Sequence, residues 1–111
     1  MSNHHYVRIE AEPPWTAESA RRVIERAKEE ATRRRIFLIL FDLRRWEQPS
    51  SEMVRYDSGV CVAELLNAPY RIAALSNQDS VNYFAENVAV NRGASLKVFT
   101  DEASALNWLL E

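Results

Sequence analysis

Hydrophobic and polar residues alternate strictly over Tyr6–Ala11, with Val7, Ile9 and Ala11 on one side and Tyr6, Arg8 and Glu10 on the other. A period of two predicts a strand. Pro13 and Pro14 stop it, and Thr16 is a suitable N-cap for a helix. From Ala17 the apolar positions fall at Ala17, Ala20, Val23/Ile24, Ala27 and Ala31, the stripe of an amphipathic helix. The pattern then changes. Ile36–Leu43 is an apolar run broken only by Asp42, which predicts a strand buried on both faces of a parallel sheet.

A second helix starts at Ser50 or Ser51, with Val54, Cys61 and Leu65 at helical spacing and Met53 and Val60 beside them. Gly59 in its middle costs roughly 1 kcal/mol relative to alanine and signals an irregular turn or close packing. Asn67-Ala68-Pro69 ends this helix, and Tyr70–Ser76 reads as the third strand. Asp79 or Ser80 caps a third helix that turns Val81, Phe84/Ala85 and Val88/Ala89 inward, with Gly93 as its C′ residue. Ser95–Thr100 is the fourth strand, and Thr100 or Asp101 caps a last helix carrying Ala105/Leu106 and Leu109.

The pattern is therefore βαβαβαβα, which predicts an α/β fold: a single domain over residues 6–111 after a disordered start at 1–5. We expect a four-stranded, mostly parallel sheet with four flanking helices on its two faces and, by analogy with doubly wound sheets, the strand order 2-1-3-4. That order places a ligand crevice beyond the carboxyl ends of the first and third strands, at Glu12, Trp15, Ser76, Asn77 and Asp79. The core is expected from Val7, Ile9, Val23, Ile24, Ala27 and Ala31 in the first two elements. Later elements add Phe37, Ile39, Phe41, Ile72, Ala74, Val98, Leu106 and Leu109.

Charge changes this picture little. The net charge of −2 argues against nucleic acid as a partner. The basic run Arg21–Arg35 reads as a solvated helix face, with Glu18–Arg22, Glu29–Arg33 and Glu30–Arg34 spaced as favourable ion pairs. The apolar run from Ile36 to Phe41 is far too short for a membrane span, and the N-terminus lacks the layout of a signal peptide, so no membrane insertion is expected. A lone cysteine, Cys61, points to a cytoplasmic protein without disulfides.

Most familiar chemistry lacks its parts. Gly59 and Gly93 are the only glycines and neither follows a strand, so no phosphate-binding loop and no nucleotide cofactor are expected. His4 and His5 sit at the extreme N-terminus, giving neither a catalytic triad nor a metal site. Cys61 reads as a packed small hydrophobe rather than a nucleophile. Asp42, at the end of a buried strand, sits where a phosphate-accepting receiver domain has its aspartate. Such a domain also needs a lysine at the end of its last strand, and Lys97 lies inside one, so Asp42 reads as an ion-pair partner of Arg44, Arg45 or Arg71 or as a cap.

The buried strand ending in Phe41-Asp42-Leu43-Arg44-Arg45-Trp46, the serines at a helix start, Tyr70–Ser76 and the closing Leu96–Leu110 together resemble the STAS-like group. This group includes the anti-anti-sigma factors and, with a similar architecture, the CRAL-TRIO lipid-binding domains; the closing pattern looks most like the SpoIIAA-like proteins. The resemblance implies a non-catalytic regulatory protein-binding module, or alternatively a carrier of a small apolar ligand or lipid. It also implies that Ser51 is a phosphoacceptor, although Pro49-Ser50-Ser51-Glu52 replaces the family's Asp-Ser-Ser-Gly. The residues themselves offer Arg44, Arg45, Trp46, Ser50 and Ser51 as a partner-binding loop, since tryptophan and arginine anchor interfaces. The competing readings are that Trp46 folds back over the sheet end and that the serine pair merely caps a helix. Trp15, Trp46 and Trp108, with Tyr6, Tyr56 and Tyr70, exceed what one small core absorbs, which suggests a homodimer.

Overall fold

A computed structural model describes residues 6–49, 51–77 and 83–111. The expected disordered start at 1–5, Ser50 in the loop and Asp79, Ser80 and Val81 before the third helix lie outside the described residues. The elements run β1 (Val7–Glu10), α1 (Ala17–Arg34), β2 (Leu38–Asp42), α2 (Glu52–Leu65), β3 (Arg71–Leu75), α3 (Phe84–Asn91), β4 (Ser95–Phe99) and α4 (Glu102–Leu109). The α/β pattern read from the sequence is present, with each strand one to three residues shorter than its apolar run.

All pairings are parallel, but the strand order is β1-β2-β3-β4 rather than 2-1-3-4. The reason lies in β1. Its burial alternates, with Val7 and Ile9 inside and Arg8 and Glu10 outside, whereas β2 and β3 are buried at four of five positions. A central β1 would bury Arg8 and Glu10 beneath a helix, so β1 takes an edge and the two doubly buried strands take the middle.

Parallel crossovers are right-handed almost without exception. Three successive steps in one direction therefore leave α1, α2 and α3 on one face, where Ile24, Ala27, Cys61, Val62 and Ala89 pack on Val7, Ile9, Ile39, Phe41, Ile72 and Ala74. The other face is left to α4, whose Ala105 and Leu109 pack on Leu40, Ala73 and Leu75. Most of the expected core is buried, with Val23, Val98 and Leu106 partly so. Phe37 is the exception at 50 % exposed: it precedes β2, and its ring meets Tyr70 edge-on at 5.4 Å. No helix among the described residues is long and apolar enough to cross a membrane.

Local signals account for the helix ends. Thr16 and Ser19 form a capping box at the start of α1 (Ser19 N–H to Thr16 Oγ1, 3.0 Å), and Asp101 caps α4 by accepting from Ser104 N–H at 2.8 Å. Gly93 follows α3 with φ 103°, the left-handed C′ conformation that favours glycine. Of the expected α1 ion pairs, Glu18–Arg22 and Glu30–Arg34 form, while Arg33 turns one residue closer, to Glu30. The buried side of α2 is Arg55, Ser58, Gly59, Cys61, Val62 and Ala63; of the expected stripe Cys61 is buried, Val54, Val60 and Leu65 are partly buried, and Met53 is exposed.

Gly59 is where α3 meets α2. A Cβ built on it would lie 2.6 Å from the Ala85 carbonyl oxygen and 2.9 Å from Val88 Cβ. Gly59→Ala should therefore destabilise the protein by about 1–3 kcal/mol in urea unfolding, because forced overpacking outweighs the gain of about 1 kcal/mol in helix propensity. An unchanged or raised midpoint would show that the two helices are not in contact at this turn.

Candidate functional site

After β2 the chain turns back on itself, the Trp46 N–H donating to the Leu43 carbonyl at 3.0 Å. This drops the Trp46 ring onto Ala11 and Ala20, leaving it only 5 % exposed. Its indole N–H donates to the Glu12 carbonyl at 2.8 Å, and its ring stacks on Trp15 with centroids 5.0 Å apart and planes 14° from parallel. Trp46 thus folds back over the sheet end and is not an exposed anchor. Its arginine neighbours are also engaged: Arg44 pairs with Asp42 and Arg45 with Glu12.

The Trp15 indole N–H donates to Ser58 Oγ at 3.0 Å, which ties the loop before α1 to α2. Over the same ring, 5.0 Å from its centroid, lies the guanidinium of Arg55. Arg55 is 2 % exposed, the most buried charged residue of those described. Its Nε donates to Glu52 at 3.1 Å and its Nη2 to Gln48 Oε1 at 3.3 Å. Planarity and weak hydration let a guanidinium rest on an aromatic face in this way.

Trp15, Trp46 and Arg55 line a cavity of about 90 Å³ between the carboxyl ends of the strands and helices α1, α2 and α3. Its wall is largely apolar, with Phe41, Val62, Leu96 and Val98 among the residues; Ser58, Ser76, Arg55 and Glu86 supply the polar atoms. The space exists because small residues, Ala20, Gly59, Ala74 and Ala85, face it from four different elements. Glu86 also accepts the Val98 N–H at 2.8 Å, occupying an amide on the outer edge of β4.

Of the expected crevice residues, Trp15 and Ser76 reach this cavity. Glu12 does not: it lines a separate groove between β1 and α1. Asn77 is exposed, and Asp79 lies outside the described residues. A crevice between β1 and β3 does not arise, because β2 lies between them. Sequence reasoning sets Arg55 near Ser51, within reach of a phosphate there, and misses it as a buried residue of the cavity wall. Its one signal is position: it falls a helical turn before Gly59 and Ser58, on the side of α2 that carries the small residues.

On the opposite face Asp42 anchors a charge cluster. It accepts from Arg44 Nε and Nη2 at 2.9 and 2.8 Å and from Arg8 Nη2 at 2.9 Å, while Arg8 also reaches Glu102 at 3.2 Å and Glu10 at 2.9 Å. The expected partner Arg44 is present, and Arg8 takes the place foreseen for Arg45 or Arg71. Arg71 instead lies over Trp108, 4.1 Å from its ring centroid, and donates to the Trp108 carbonyl. The hydrogen bonds from Arg44, aided by both positive charges, outweigh burial and hold the Asp42 carboxyl down at about 2. Cys61 is buried and its thiol is pushed up by that burial, the reverse of an activated nucleophile. Among the described residues no group of three or more His, Cys, Asp or Glu side chains is placed to hold a metal ion.

No protein-family model matches the chain, and neither a curated protein nor a solved structure does.

The Asp42 carboxyl titrates below its ordinary 3.8, so the stabilisation it supplies is complete above that value and is lost as the pH falls toward 2. Asp42→Asn should be less stable than the wild type by about 2 kcal/mol at pH 7, with the difference closing as the pH drops from about 5 to 2. Urea midpoints measured across this range check it. A difference that stays constant with pH would mean the cluster contributes no charge-dependent stability.

Proposed function

We propose that the chain is a non-catalytic binding domain that holds a small, largely apolar molecule in the cavity beneath Trp15 and Trp46, with a hydrogen-bond-accepting or anionic head at Arg55. The observation that carries this reading is the buried Arg55 guanidinium in the wall of an otherwise mostly apolar cavity. Ligand sites are concave, chiefly apolar and furnished with a few placed polar groups. The guanidinium has five N–H donors and no acceptor, so its hydrogen bonds to Glu52 and Gln48 leave capacity for an acceptor in the cavity. Size narrows the ligand: a cavity of roughly 150 Å³ admits benzene, so one of about 90 Å³ suits a molecule of a few heavy atoms. This favours a small-molecule carrier or sensor over a lipid carrier.

A second reading, the regulatory protein-binding module of the STAS/SpoIIAA-like type, is favoured by Ser51. The residue occupies the N-cap position of α2, and its carbonyl accepts the Val54 N–H at 3.2 Å, yet its hydroxyl makes no capping hydrogen bond and is exposed. The capping role expected of its side chain is thus corrected, and the hydroxyl is accessible to a kinase. A phosphate there would sit at the positive end of the helix dipole. Arg44 and Arg45, both substantially exposed, would then form the rest of the partner face.

Formate, acetate, propionate and butyrate serve as probes for the first reading, with Trp15 in the cavity wall as an intrinsic fluorophore. Saturable quenching is expected for the wild type. Ala74→Leu, which fills the cavity from β3, should weaken binding by about 10-fold or more while the protein remains folded, since a few methylenes in a pocket discriminate by that much. Wild-type fluorescence unmoved at millimolar probe would overturn this reading and leave the regulatory one, which makes no use of the cavity.

A further inference from the structure

The two edges of the sheet are not alike. On β4 an outward amide is occupied by the Glu86 carboxylate. On β1 the Ala11 N–H points inward, to the Asp42 carbonyl at 3.0 Å, so by alternation Val7 and Ile9 also face β2. The N–H and C=O groups of Arg8 and Glu10 therefore point away from the sheet, and among the described residues β1 has a strand neighbour on one side only. Beside this edge runs the groove lined by Glu10, Glu12 and the α1 residues Arg22, Glu25, Arg26 and Glu29.

These charges have an order. Antiparallel pairing of β1 with itself about a two-fold axis through Ile9 sets Arg8 opposite Glu10 and Glu10 opposite Arg8. Because those residues carry the outward backbone groups, both pairs would be hydrogen-bonded ones that exchange N–H and C=O. The α1 residues on the groove obey the same symmetry. A two-fold between positions 25 and 26 sets Arg22 against Glu29 and Glu25 against Arg26, so that every cation meets an anion. Spaced at i, i+3, i+4 and i+7, the four lie on one helix face, and all are exposed.

One axis can serve both elements. Ala11 clusters with Ala20 and, partly buried beside them, Val23, so the turn at 20–23 lies level with Ala11. Moving two residues down β1, from Ala11 to Ile9, is about 6.6 Å, or about four residues of helix. Since α1 runs back along β1, the level of Ile9 falls near positions 24–27, which brackets the helix two-fold. We propose that a second copy of this chain docks along β1 and α1, joining the two sheets edge to edge with the two α1 helices antiparallel above the junction. Charge complementarity of this kind fixes partner and register. The aromatic excess noted in the sequence plays no part, because Trp46 and Trp108 pack in separate clusters within one copy.

Sedimentation of the intact chain across about 1–100 µM, the range of modest interfaces, should show a dimer. Arg26→Glu places a carboxylate against Glu25 of the second copy, and Glu25→Arg places a guanidinium against Arg26. Each variant alone should self-associate at least about 10-fold more weakly, since like charges face each other twice, while its melting temperature stays near that of the wild type. An equimolar mixture of the two variants restores both opposite-charge contacts and should form a heterodimer with wild-type affinity. A wild type that remains monomeric throughout overturns the proposal. So does a dimer that neither reversal weakens, which would use another face, and so does a mixture that fails to associate.

Discussion

A right-handed crossover that always steps to the next strand in the same direction can put its helix on one face of the sheet only, and this chain takes three such steps. Three helices therefore share one face, and covering the other falls to the eight residues of α4. Ala105 and Leu109 supply the apolar contact. The cluster of Asp42, Arg8, Arg44 and Glu102 ties the first turn of that helix to β1 and β2. Two carboxylates and two guanidiniums, each partly shielded from water, do here what a fourth crossover helix would do in a doubly wound sheet. Surface ion pairs are worth little singly, but Asp42 is largely buried and accepts from both arginines, which places this cluster above that level.

The same winding explains where the cavity lies. With α1, α2 and α3 crowded over one face, their contacts are set by small residues, and Gly59 lets α3 approach α2 closely. Close approach at that turn leaves space farther toward the strand ends, where alanines on α1, β3 and α3 face one another. Trp15 and Trp46 cover the space, each holding its indole N–H on a defined acceptor, so the cover is oriented as well as packed. Arg55 enters the wall from the first turn of α2. The buried guanidinium and the two rings come from three different segments of the chain, and the fold alone makes them one site.

Much of this is legible in the residues themselves. The switch from strict alternation in Val7–Glu10 to an almost continuous apolar run in Leu38–Asp42 distinguishes an edge strand from a central one, and that contrast already contradicts the order 2-1-3-4. Analogy with doubly wound sheets points the other way, and the pattern is the better guide. Thr16, Asp101 and Gly93 are legible because capping is local chemistry. Trp46 and Arg55 are harder, because whether a tryptophan or an arginine is buried depends on what the rest of the chain brings to it. Periodicity in α2 is only partly informative for a related reason: Cys61 of the apolar stripe is buried, but toward its start the inner face is built of an arginine, a serine and a glycine, residues that a hydrophobic stripe does not register. Ser51 illustrates the opposite limit, a correctly placed N-cap whose side chain makes no capping bond.

One-directional winding makes β1 an edge and leaves the second face to α4. Scalar couplings across hydrogen bonds, measured between amide nitrogens and carbonyl carbons in labelled protein, test it without reference to side chains. With β2 between β1 and β3, a coupling is expected from the Ala11 amide to the Asp42 carbonyl and from the Leu43 amide to the Leu75 carbonyl. Couplings from β1 amides to carbonyls of β3 would contradict it.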